Sequence, residues 1–185
     1  VCTVNKHRSL LGQVYRAFVK DGTAERNPFA DITHEPEEQA ERREIPLETL
    51  ATVCDAAQGE IKTLLFLGIY TAARLKDCAL LRWDSVDLAR GTISLTPYKT
   101  RRRRGRAAVL VPIHPCLRPM LEATPRADRR GYVLPQTAEV YQKRRNTVTG
   151  RIQRLLEGAG LDLYHEAEEG VPQARKRLRF GFHSL

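Results

Sequence analysis

An arginine and an acid stand close together near the middle of the chain. Arg74 follows the small residues Thr71, Ala72 and Ala73, and Asp77 comes three positions later, a spacing that places both on one face of a helix. The planar fork of a guanidinium bonds two phosphoryl oxygens at once, and an acid behind it fixes its orientation. By itself the same spacing describes a surface ion pair worth roughly a few tenths of a kcal/mol. Lys99, after the segment TISLTPY, is placed to swing into a cleft and protonate a departing sugar oxygen as a general acid, although most lysines in such turns are simply solvated. Arg101, Arg102, Arg103, Arg104 and Arg106 make the densest run of positive charge, and Lys143, Arg144 and Arg145 make a second cluster. Both runs suit contact with a phosphate backbone; the first is expected to be a solvated loop tip in the free protein that orders only on DNA, and the second equally suits a solvated helix lead-in. His183 lies beside Phe182 and Leu185, where a lone histidine is more often structural than catalytic. The six tyrosines are scattered, and none has the surroundings of a nucleophile.

The bulk composition narrows the partners. Lys and Arg number 31 against 22 Asp and Glu, a formal net charge of +9 over 185 residues. That balance favours a polyanion, and with no basic amphipathic helix beside a lipidation signal it favours nucleic acid over a membrane surface. The plainer alternative is charge that serves solubility alone. No run approaches about 18 apolar residues, so no membrane span is expected. The first eleven residues are polar and basic, unlike a signal peptide, and the chain opens on Val1 as though numbered from inside a longer protein. Cys2, Cys54, Cys78 and Cys116 lie far apart without zinc-ligand spacing. No metal is expected, and Cys54 and Cys78 read as reduced core residues of a cytoplasmic protein. There is no GxGxxG, P-loop or HExxH, so no nucleotide cofactor is expected.

Several elements must position these residues. Residues 3–20 repeat apolar side chains at helical spacing, and Asp21-Gly22 ends that helix. Residues 31–44 are acidic and polar around Pro36, which reads as a linker between a preceding helix (1–30) and a main domain (45–185). Helices are predicted over 46–57, 60–70 and 75–82, the second apolar enough to be mostly buried. Strands are predicted over 92–96 and 107–111, forming a hairpin whose connection holds Lys99 and the arginine run. Further helices are predicted over 115–123, opened by Pro115, and 146–158, closed by Gly158 and Gly160. Residues 161–179 show no clear pattern.

The order of these signals resembles the tyrosine recombinase (phage integrase) family. Thr71 to Asp77 (TAARLKD) is similar to that family's T-G-x-R-x-x-E/D motif, with Ala72 where the family has glycine. The run from Leu80 to Leu88 is similar to its Leu-Leu-x-Trp-x-Asp continuation, Lys99 aligns with its hairpin lysine, and His183, Ser184 and Leu185 fit the start of its H-x-L-R-H box. The opening segment also resembles the closing helix of the family's core-binding domain. The resemblance implies metal-free DNA strand exchange through a 3′-phosphotyrosyl link. In that scheme Arg74 stabilises the phosphorane-like transition state, Lys99 protonates the 5′-oxygen, His183 assists, and Asp77 supports Arg74. The family's second arginine and its tyrosine nucleophile would follow Leu185, so this stretch is expected to bind DNA without cleaving it.

The resulting expectation is a mixed α/β, mostly helical catalytic domain with a small antiparallel sheet. Its partner is double-stranded DNA, on which the full protein would assemble as a homo-tetramer. The rival reading is a non-enzymatic DNA-binding regulator with the same fold; a more distant one is an RNA-binding protein that uses the arginine run as an arm.

Overall fold

The computed structural model describes residues 2–35, 43–96, 108–164 and 178–185. Lys99 and the five arginines between 101 and 106 lie outside the described residues, as does the central part of the expected linker. By contacts the chain divides into two units, residues 1–40 and 41–185.

The first unit is built on helix α1 (Cys2–Lys20), against which the following segment runs back. Asparagines make that return specific. Asn5, buried under it, exchanges two hydrogen bonds with the Glu35 backbone, donating to its carbonyl at 2.9 Å and accepting from its N–H at 3.0 Å. Asn27 donates to the Gly12 carbonyl and accepts from the Phe29 N–H. Phe29 in turn meets the Tyr15 ring, with centroids 5.4 Å apart. Leu10, Leu11, Val14 and Phe18 on α1 remain exposed.

The second unit is organised around α3 (Gly59–Thr71), where Leu64, Leu65, Leu67 and Gly68 are all buried. Its apolar run from Leu64 to Ile69 offers no polar side chain to turn outward, so that stretch lies largely inside. Around it pack α2 (Leu47–Ala56), α4 (Leu75–Ala79), α6 (Pro135–Lys143) and the 3₁₀ turn Phe182–Ser184. α7 (Arg145–Gly158) adds Val148, Ile152 and Leu156 to the same core and packs on α2 and α6. The sheet is three-stranded and antiparallel, in the order β1 (Val86–Asp87), β2 (Thr92–Leu95), β3 (Val109–Pro112). Ile93, fully buried, stands opposite Val86 on one side and Val111 on the other. The short helix α5 (Arg118–Glu122) follows, its Arg118 donating to the Leu88 carbonyl at 2.9 Å. A mostly helical domain with a small antiparallel sheet is what the sequence leads one to expect.

Three local expectations are corrected. The helix expected over 75–82 ends at Ala79, because the chain from Leu81 to Trp83 exchanges backbone hydrogen bonds with Gly131 and Val133 instead of continuing the helical ladder. The helix expected from Pro115 starts at Arg118 with Pro119 in its first turn, since residues 115–117 form a turn closed by Leu117 N–H donating to the His114 carbonyl. A helix stands over Pro135–Lys143 where none was assigned. Its start lacks a side-chain oxygen of its own, Leu134 being the N-cap, and the missing acceptor comes from far along the chain. The Glu60 carboxylate of α3 accepts the Gln136 N–H at 3.1 Å and the Thr137 N–H at 2.6 Å.

Candidate functional site

The turn between α3 and α4 places Arg74. Ala72 caps α3 in the left-handed conformation, φ 50° and ψ 22°, with its N–H donating to the Gly68 carbonyl at 3.0 Å. It is the one non-glycine with positive φ among the described residues. Thr71 closes the turn from both sides, its hydroxyl donating to the Leu67 carbonyl and accepting from the Ala73 N–H at 3.3 Å. The buried Cys78 thiol then donates to the Ala73 carbonyl at 3.7 Å. Burial pushes that thiol up to about 12, so it stays protonated and keeps its role as donor at neutral pH.

Arg74 therefore does not share a helix face with Asp77, as the spacing suggested. It precedes α4 as the N-cap residue, with extended backbone (φ −70°, ψ 153°) and an exposed side chain. Its carbonyl accepts the Asp77 N–H at 2.8 Å and the Cys78 N–H at 3.0 Å, so the link from Arg74 to Asp77 runs through the main chain. Among the described residues the Arg74 guanidinium makes no ion pair.

Asp77 shares an electrostatic neighbour with another of the expected residues. It and Arg145 both act on the phenol of Tyr141, a buried residue of α6. Burial raises the Tyr141 pKa, the Arg145 charge and hydrogen bond lower it, and the Asp77 charge raises it. Charges on α4 and α7 thus act on one phenol of α6, which the sequence marks only as an apolar-context tyrosine. It is carried by the helix over Pro135–Lys143, which has no side-chain N-cap of its own to mark it in the sequence.

The basic cluster from 143 to 145 is the break between α6 and α7. Lys143 ends α6 and pairs with Glu139 at 2.6 Å, a contact whose hydrogen bond lowers the Glu139 pKa. Arg144 sits at the break itself with φ −148°, and Arg145 opens α7. All three side chains are exposed.

His183 is exposed on the 3₁₀ turn Phe182–Ser184 while its two neighbours are buried. Ser184 fixes the turn by accepting the Gly181 N–H on its hydroxyl at 3.2 Å and donating its own N–H to the Gly181 carbonyl at 2.8 Å. The Ser184 carbonyl accepts the Ile45 N–H at 3.3 Å, tying the end of the described chain to the start of the unit. Phe182 lies against Gly68 of α3, the residue whose carbonyl caps the turn before Arg74. Residues more than a hundred positions apart, Arg74 and His183, are thereby carried on two segments that meet at the C-terminal part of α3.

A cleft of about 340 Å³ opens between α4 and β2, lined by Lys76, Asp77, Arg82, Ser94, Thr96 and Tyr132. Thr96 follows the end of β2, and the chain continues from there toward Lys99. No group of three or more His, Cys, Asp or Glu that could hold a metal occurs among the described residues. No helix among them is long and apolar enough to cross a membrane.

Comparisons with known proteins bear on the family and the fold. The family model described as the phage integrase family matches residues 43–185. A search of curated protein sequences finds no significant match. Among solved structures, the integrase of mycobacterium phage Brujita superposes with a TM-score of 0.53 at 18% identity, over 86% of this chain and 53% of that one. Lambda integrase bound to DNA gives a TM-score of 0.57 at 15% identity, over 96% of this chain and 59% of that one. A lambda integrase tetramer bound to a Holliday junction gives 0.55 at 16% identity, over 84% and 45%. The chain thus spans about half the length of the solved integrases it resembles, and at these identities the likeness is one of fold. With a family model covering most of its length, the chain belongs to the phage integrase family and carries the fold of a tyrosine recombinase catalytic domain.

Proposed function

We propose that this chain grips double-stranded DNA at a scissile phosphate, as part of a site-specific tyrosine recombinase. The observation that carries the reading is Arg74, an exposed guanidinium on a rigid turn, without an ion pair among the described residues, in a segment that meets the His183 turn at α3. Arg74 bonds the non-bridging oxygens of the phosphate, where charge accumulates in the transition state. His183 supports the same phosphate by hydrogen bonding or proton transfer, and Lys99 protonates the leaving 5′-oxygen. Asp77 supports Arg74 indirectly, by anchoring the first turn of α4. The arginines at 101–104 and 106, with Lys143, Arg144 and Arg145, contact the backbone around the site and supply affinity without sequence information. Lys143 contributes least of the second cluster because Glu139 already holds it.

None of the six tyrosines of this stretch is assigned here as the nucleophile that the family resemblance implies. We therefore assign binding to this stretch and strand exchange, through a 3′-phosphotyrosyl link and a tetramer on DNA, to the whole protein. That DNA is the partner is supported by the net charge of +9 and by the DNA-bound state of solved relatives of the same fold.

The test uses the whole protein and a nicked duplex that traps the covalent intermediate. A covalent protein–DNA band is expected, reduced by at least about a hundredfold in Arg74→Ala, the usual scale for one preorganised donor. A band of normal intensity in Arg74→Ala would refute the role of that residue. DNA binding with no covalent band in the unaltered whole protein would favour the non-enzymatic regulator.

A further inference from the structure

We propose that Gly68 is a positioning residue of this site: the notch left by its missing side chain receives the Phe182 ring and sets where His183 stands relative to Arg74. The inference rests on the phosphate-site reading above only for what the positioning serves.

Gly68 lies inside α3, where glycine costs about 1 kcal/mol relative to alanine. Its backbone does not have positive φ, so conformation gives no reason for glycine here. Space does. A Cβ built on Gly68 would fall 2.5 Å from Cζ of Phe182, 3.0 Å from Cε2 and 3.1 Å from Cε1. The ring is nearly buried at 9% exposure and occupies the volume that any other residue at 68 would claim. A rigid aromatic ring cannot yield there as the end of a flexible side chain could. Phe182 is followed directly by exposed His183, and the rest of the turn is pinned by the hydrogen bonds of Ser184 to Gly181 and Ile45. Ring position therefore translates into imidazole position. On the other side, the Gly68 carbonyl accepts the Ala72 N–H that fixes the turn into Arg74. One residue thus holds both arms of the site, by its main chain toward Arg74 and by its absent side chain toward His183.

The experiment follows the His183 ring and the Arg74 Nε–H group by NMR in the 185-residue chain. The variants are Gly68→Ala, Phe182→Leu and the double variant, each also melted thermally. A 30-base-pair duplex of random sequence is then added. In Gly68→Ala the His183 resonance is expected to move while the Arg74 signal stays near its place, and the duplex is expected to shift Arg74 but no longer His183. Leucine lacks the ring atoms that a Cβ would strike, so the double variant is expected to restore both the His183 resonance and its response to the duplex. A His183 signal unchanged by Gly68→Ala, or one that the double variant fails to restore, overturns the inference. If Gly68→Ala does not fold, the double variant decides: folding with a native-like His183 signal supports the notch, and failure to fold overturns it. A duplex that moves neither signal in the unaltered chain counts against the phosphate site, and leaves the positioning result to stand on the resonance shift and its rescue.

Discussion

Ala72 occupies a conformation in which its methyl group is a liability. A residue other than glycine pays about 1–2 kcal/mol in the left-handed region, and Ala72 pays it to end α3 and present Arg74. Ala72→Gly removes that strain but gives the unfolded chain more freedom, which returns about 0.4–1 kcal/mol. The net expectation is a gain of about 0.5–1 kcal/mol, read as a higher urea midpoint at unchanged slope. Cys78 allows a second test at this scale. Its pKa is raised to about 12 from an ordinary value of 9.0, so between those values the folded protein keeps a proton that the unfolded chain gives up. The unfolded state then binds fewer protons, and stability falls with rising pH. The contribution is intact below pH 9, and the expected loss is about 1.4 kcal/mol per pH unit from there toward 12. Cys78→Ala should flatten that alkaline slope in denaturation measured between pH 8.5 and 10.5. Thiol labelling of the native protein should reach exposed Cys116 quickly and buried Cys78 only on unfolding.

Among the elements, α6 shows most clearly how a helix is made by its surroundings. It is nine residues long, begins with a proline, and has no side-chain N-cap of its own. Glu60 supplies the cap from α3, meeting two free N–H groups with a negative charge at the positive end of the helix. Glu60→Ala is expected to cost about 2 kcal/mol, combining a lost cap with a lost charge–dipole interaction. Glu60→Gln keeps one acceptor oxygen and is expected to cost about half as much. Chemical denaturation of the two variants checks the order, and equal stability of both with the native chain would show that the cap is dispensable. Because α6 carries Tyr141 and ends at Lys143, next to Arg144, loosening it should also weaken DNA binding through the α6–α7 break.

Over the whole molecule the governing quantity is the charge of +9 and where it is displayed. Each phosphate neutralised should contribute about 0.9 to the slope of log affinity against log salt. Arg144→Ala combined with Arg145→Ala is expected to lower that slope by up to about 2, and Lys143→Ala by less, because Glu139 competes for its ammonium. Binding isotherms on a random duplex from 50 to 300 mM salt would measure this. A slope unchanged by the double substitution would remove the α6–α7 break from the interface. Arg145→Ala carries a second effect, since it deprives the buried Tyr141 phenol of the cation that lowers its pKa. Comparison with Arg144→Ala, which lacks that contact, separates charge from packing.

Sequence by itself determined the family and the elements with strong local signals. The apolar run of α3, the helix ending at Gly158 and the hairpin pattern around Ile93 are legible because periodicity and turn residues act over a few positions. What only the tertiary structure decided depends on partners far along the chain. The helix over Pro135–Lys143 needs Glu60, and the early end of α4 needs Gly131 and Val133 to take up backbone groups that a longer helix would have used. For the same reason sequence could propose residue types for the candidate site but not their geometry. Spacing gave Arg74 and Asp77 one helix face, whereas the left-handed turn at Ala72 leaves Arg74 just outside the helix. The meeting of Phe182 with Gly68 brings together positions 114 residues apart in the chain (182 − 68), and only packing of the core can specify such a contact.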